Sequence, residues 1–116
     1  MDPVRLAVEI LQEGFPNVPV GTEVPNDRPG RLVTVALDSM STDGLTTVAT
    51  LGIVCWGLTD PDACGMCARA ADLLREAAEE HPFLFAAQLD TMARDLWTAT
   101  GQSRYIAQVS LFLNED

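Results

Sequence analysis

The chain has one histidine, His81, and only seven basic residues among 116, so the commonest catalytic and anion-binding chemistries lack their usual groups. A single imidazole excludes His-pair metal motifs and most His-based catalytic constellations. No Gly-x-Ser-x-Gly elbow, P-loop, Rossmann glycine pattern or His-Glu-x-x-His occurs. Seven basic residues against 17 acidic ones give a net charge of −10. Charge of that sign repels phosphate backbones and releases few counterions, so direct nucleic-acid binding is disfavoured. Cysteine is scarce and odd in number, at three, and Met1-Asp2-Pro3-Val4-Arg5 has neither the basic region nor the apolar run of a secretory leader. Reduced thiols and cytoplasmic synthesis are therefore expected, and a secreted disulfide framework is not. No apolar run approaches the roughly 20 residues of a spanning helix, so no membrane partner is expected.

What is present is a globular composition, 47% hydrophobic and 21% charged, in a length that suits one hydrophobic core and hence one domain over residues 1–116. Asp2-Pro3 predicts a capped helix start. Val4, Ala7, Val8 and Leu11, widened by Leu6 and Ile10, carry the helix to about Glu13, and Gly14 sits where a left-handed closing residue is wanted. Residues 18–24 and 31–39 are valine-rich and punctuated by proline and glycine, as strands are, with Asn26-Asp27-Arg28-Pro29-Gly30 as the connecting turn. Residues 38–46 are polar and aperiodic, and predict a mobile hairpin tip.

From Thr47 to Trp56 one alternating set is Ala49, Leu51, Ile53 and Cys55, and the other is Val48, Thr50, Gly52, Val54 and Trp56. Both sets are rather apolar, which predicts a central strand with helices over one face and a neighbouring subunit over the other. Asp60-Pro61 repeats the capped start. Cys64, Cys67, Ala71, Leu74 and Ala78 follow at helical spacing until His81-Pro82, and the small residues on this stripe predict a helix lying close to the sheet. Residues 104–113 alternate Tyr105, Ala107, Val109, Leu111 and Leu113 against Arg104, Ile106, Gln108, Ser110 and Phe112, as a strand does. Phe85, Leu89, Met92 and Leu96 suit a helix by spacing, which leaves residues 83–99 ambiguous from periodicity alone.

Cys64-Gly65-Met66-Cys67 is the sharpest candidate for chemistry, because a C-x-x-C at a helix start lowers a thiol pKa in thioredoxin-like proteins. Yet the spacing also puts both thiols on the apolar stripe, where cysteine packs as a small hydrophobe, and packing is the stronger expectation. Zinc would need Cys55, Cys64, Cys67 and His81 together. A continuous helix would separate Cys67 from His81 by about 20 Å at ~1.5 Å per residue, so no metal or other cofactor is expected. His81 at a helix end, and Asp60 with Asp62 at a helix start, are explained by the helix dipole. Trp56 and Trp97 each close an expected strand and are candidates for core or interface. Arg28, Arg31 and Arg104 could pair with carboxylates of a neighbouring copy. With Val54 on the uncovered face, these residues form the candidate subunit interface.

The stretch Phe15-Pro16-Asn17-Val18-Pro19-Val20-Gly21-Thr22-Glu23-Val24-Pro25-Asn26-Asp27-Arg28-Pro29-Gly30-Arg31-Leu32-Val33-Thr34-Val35 resembles the tail terminator proteins of long-tailed phages. In that family a short helix leads to a phenylalanine-proline element, a Val-x-Thr-Glu-Val-Pro-like strand, an Arg-Pro turn and a Leu-Val-x-Val strand. The likeness implies an α/β (α+β) sandwich in the order α-β-β-β-α-β-β: a mainly antiparallel sheet, two helices on one face, and a strand at 83–99. It implies a non-enzymatic virion protein, made in the bacterial host cytoplasm and usually hexameric. Its ring would sit at the head-proximal end of the tail tube, touching the tube protein and the head-tail connector while DNA passes through. Two departures stand out: the C-x-x-C, and a Trp97-Thr98-Ala99-Thr100-Gly101 turn without the family's proline. The alternative reading is a small thioredoxin-like thiol-disulfide oxidoreductase using Cys64 and Cys67.

Overall fold

A computed structural model describes residues 2–27, 29–95 and 102–114. The order is α1 (Pro3–Gly14), β1 (Val20–Gly21), β2 (Leu32–Asp43), β3 (Thr46–Gly57), α2 (Asp60–Ala77), β4 (Leu84–Arg94) and β5 (Ser103–Asn114). The five strands form one sheet ordered β1-β2-β3-β5-β4, antiparallel except for β1 against β2. Both helices bury residues in the same cluster as one face of that sheet, which gives the α+β sandwich that the order of elements implied.

Helix α1 begins where Asp2 Oδ1 accepts the N–H groups of Val4 (3.0 Å) and Arg5 (3.2 Å). Pro3, with no N–H to satisfy, takes the first turn. Its end differs from expectation. Gly14 is the last helical residue and not a left-handed cap, and a Cβ there would press on Leu73 of α2 at 2.4 Å. Close helix packing, not turn geometry, is what this glycine serves.

The first strand also departs from its expected span. Only Val20 and Gly21 pair, and they pair parallel to Val33 and Thr34, so β1 leads to β2 by a crossover and not by a hairpin turn. Pro19 and Pro25 have no N–H to give a ladder, and the Pro19 carbonyl contributes by accepting the Val33 N–H at 3.0 Å. Gln12 Nε2 of α1 donates to the Val20 carbonyl at 3.1 Å and fixes this short strand to the helix layer.

Residues 38–43, expected to be mobile loop, are strand, and the tip of the β2–β3 hairpin contracts to Gly44-Leu45 between the paired Asp43 and Thr46. Gly44 has φ +63°, as the first central residue of a tight two-residue hairpin turn requires. Helix α2 starts one residue earlier than the Asp-Pro pattern implied: Thr59 is the N-cap, its Oγ1 accepting the Asp62 N–H at 3.2 Å. Asp62 in turn accepts the Leu58 N–H at 2.9 Å, a reciprocal arrangement like a capping box. Residues 84–94 are strand β4, and β5 lies between β3 and β4, so β3-α2-β4 is a split β-α-β unit. The expected extension of β4 toward residue 99 lies outside the described residues.

Candidate functional site

Pairing register assigns each strand residue to a face. Val33 and Val35 of β2, Ala49, Leu51, Ile53 and Cys55 of β3, and Ala107, Val109, Leu111 and Leu113 of β5 are buried under α1 and α2. On the opposite face no helix packs among the described residues. Across its middle runs a polar belt centred on Gly52. Gln108 Nε2 donates to Asp38 Oδ2 at 3.3 Å across this glycine, while Gln108 Oε1 accepts from Thr91 at 3.3 Å. A Cβ on Gly52 would sit 3.0 Å from the Asp38 carboxylate, so the bridge depends on the missing side chain. Thr50 and Ser110 share a hydroxyl hydrogen bond of 3.2 Å, and Ser110 also donates to Asp90, which accepts from Gln88 as well.

Apolar groups flank this belt at both ends. At one end are Val48, Phe112 and Phe85, the two rings 6.1 Å apart. At the other are Val54, Ile106 and Trp56. Val48, Val54, Ile106 and Phe112 are half-buried, and Phe85 is exposed. The open face is therefore neither a plain solvated surface nor a core.

The sheet's two edges differ. Strand β4 breaks register twice, between Leu84 and Ala86 and between Leu89 and Thr91, and such bulges spoil an edge as a template for another strand. Strand β2 has one break, around Asp38. Strand β1 covers β2 only at Val33 and Thr34, so residues 36–43 have no strand on their outer side among the described residues. Along that stretch Leu37 is 44% exposed and Met40 54%, and Leu45 at the tip is 76% exposed.

Of the expected interface residues, Val54, Trp56 and Arg104 lie together at one end of the open face. Trp56 is only 5% exposed, with the Arg104 guanidinium 5.5 Å from its ring centroid, and Arg104 also pairs with Asp95. These contacts give Trp56 and Arg104 partners within the chain itself. Arg31 Nε binds Asp62 Oδ2 at 2.9 Å, joining the entrance of β2 to the start of α2. That pairing, then the Leu58 N–H, holds the Asp62 carboxyl below the usual carboxylate range, and the Arg31 guanidinium is raised in return. Val54 lies half-buried on the open face. Arg28 and Trp97 lie outside the described residues. Sequence reasoning missed the belt of Asp38, Thr50, Asp90, Gln108 and Ser110. Its one signal was a glycine, Gly52, in the middle of an otherwise apolar strand.

The thiols are arranged differently from a C-x-x-C site. Cys67 is buried and Cys64 half-buried, and they are the fifth and eighth residues of α2, beyond its first turn. Among the described residues no three His, Cys, Asp or Glu side chains converge to hold a metal. His81 Nδ1 accepts the Phe83 N–H at 3.2 Å, so the ring orders the turn that follows α2. No helix among the described residues is long and apolar enough to cross a membrane. No known family's model matches the chain, and no curated protein matches it.

Proposed function

We propose that this chain is a structural, ring-forming subunit of the tail-terminator kind. Copies close into a ring, usually of six, on the head-proximal end of a phage tail tube, end tube polymerisation and offer the surface to which the head is joined. The carrying observation is the stretch 36–43 of β2, a strand edge that has no neighbour among the described residues and exposes Leu37 and Met40. Such an edge has unpaired backbone groups and apolar side chains to give to another chain. The order of elements and the helices on one face agree with the same reading.

The mechanism is geometric. An edge on one copy that meets a different surface on the next makes a heterologous contact, which closes at a fixed subunit number when the rotation permits and then caps an open-ended stack. The protein is not an enzyme in this reading. Its partners are its own copies, the tube protein and the head-tail connector, its place is the virion, and the net charge of −10 lets DNA pass without adhering. Thiol-disulfide exchange at Cys64 and Cys67 has less support, since Cys67 is buried and neither thiol is in the first turn of α2.

Sedimentation velocity over a wide concentration range tests the proposal. A discrete species near six subunits that grows with concentration is the expected result, and a strict monomer at every concentration would defeat a self-closing ring.

A further inference from the structure

Sheet and helix approach closely at the β3–α2 corner, where a Cβ on Gly57 would lie 2.5 Å from the Ala63 nitrogen. Only Leu58 and Thr59 separate the two elements, so α2 returns along β3 in the opposite direction. One step back along β3 on the same face is two residues, about 6.8 Å, and reaches Cys55. One turn onward along α2 is four residues, about 6.0 Å, and reaches Cys67. The two steps nearly match, so the rung after Gly57 and Ala63 is Cys55 and Cys67, both fully buried in the core. The Cys67 thiol, followed by burial, pushes the Cys55 thiol well above its ordinary range. Cys64, the other half of the C-x-x-C, is half-buried and outside this cluster.

We propose that Cys55 and Cys67, not Cys64 and Cys67, are the disulfide-forming pair of this protein, and that a low-molecular-weight disulfide such as oxidised glutathione links β3 to α2 through them. The inference is independent of the ring. One cysteine thiolate attacks a glutathione sulfur and expels one glutathione thiolate. The second cysteine then attacks the mixed disulfide and expels the other. Two cysteine thiols are oxidised, one glutathione disulfide is reduced to two glutathione thiols, and the cysteine protons end on those thiols. Burial and the high Cys55 pKa keep the reduced pair inert in the closed structure, so the link forms while the chain folds or during local opening of α2. Once formed, it closes a short loop and is itself shielded.

The test uses the full chain and its Cys64→Ser variant, each exposed to oxidised glutathione both in the native state and during refolding from denaturant. Free thiols are then alkylated, the mass is measured, and the chain is cut by trypsin together with an Asp-specific protease, which separates Cys55 from Cys67; fragmentation of the linked peptides then tells Cys64 from Cys67, which share one peptide. Both proteins are expected to lose two hydrogens, to yield one linked peptide pair joining Cys55 to Cys67, and to melt roughly 5–10 °C higher than when reduced. The linkage should form faster during refolding than in the native state. Two intact thiols in Cys64→Ser after refolding with oxidant, or a wild-type link that involves Cys64, would overturn the assignment.

Discussion

The two faces of the sheet use the same strands to opposite ends. On the covered face Ala49, Leu51, Ile53 and Cys55 of β3 and Ala107, Val109, Leu111 and Leu113 of β5 are buried beneath the helices. On the other face the same strands present Thr50, Gly52, Gln108 and Ser110 in the middle and Val48, Val54, Ile106 and Phe112 toward the ends. One face is closed by packing and the other by a belt of hydrogen bonds with apolar margins. The difference separates residues that hold the fold from residues left over to meet another surface, and that separation can be tested residue by residue.

The largest effect is expected on the covered face. Leu51 is fully buried in the middle of β3, so Leu51→Ala should cost about 3 kcal/mol through lost burial and the cavity left behind. Val54, three residues on and half-buried on the open face, should cost about 1 kcal/mol when cut to alanine. Urea denaturation of the two variants measures the ratio. Equal losses would erase the distinction between the faces.

Next comes the edge. Met40 is 54% exposed and lies in the stretch of β2 with no outer neighbour among the described residues, so Met40→Asp should leave stability within about 0.5 kcal/mol. If this edge is the meeting surface, the same change should weaken self-association at least about tenfold, roughly 1.4 kcal/mol, by sedimentation. A variant that assembles normally moves the contact elsewhere. A smaller effect tests the belt. Gly52→Ala brings a methyl to 3.0 Å from Asp38 and should disturb the Gln108 bridge, but it also relieves the conformational cost of glycine in a strand. The informative quantity is therefore the coupling: Gly52→Ala should be about 0.5–1 kcal/mol more favourable in an Asp38→Ala background than alone. No coupling would mean that the bridge over Gly52 does not constrain the strand.

Much of the covered face was legible because burial leaves a period. The alternation in residues 47–56 and 104–113, and the helical spacing of Leu6, Ala7 and Leu11, reappear as the core. The capped starts were legible too, although the cap of α2 is Thr59 and not Asp60. Elsewhere the determining facts are non-local. Residues 38–46 were polar enough to suggest a loop, but residues 39–43 pair with Thr46–Thr50 of β3, and no local pattern announces a partner across a turn. Gly14 had the right place for a left-handed cap, whereas its role depends on Leu73 of another helix. The contact of Trp56 with Arg104 had no local signal either, because Arg104 is far along the chain and becomes adjacent only through the β3–β5 register. The open-face belt had the least signal, since its members come from four strands.

The smallest expected effect concerns the joint between the two layers. Asp62 accepts from Arg31 and from the Leu58 N–H, both at 2.9 Å, and its folded pKa lies below that of the unfolded chain, first because of Arg31. The unfolded state therefore binds the proton more readily. The contribution is fully present above the unfolded carboxylate value, about 3.9, and is lost as pH falls through the folded value. Asp62→Asn should lower the thermal midpoint slightly at neutral pH, and its gap to wild type should close in acid. Arg31→Gln should give a similar small gap that shrinks with added salt, since this pair is open to solvent. The double variant should lose little more than either single one, because both remove the same pair. A gap that stays constant with pH would assign the role of Asp62 to shape alone. Additive losses would mean that Arg31 has a second partner, and a neighbouring copy would then be the first candidate.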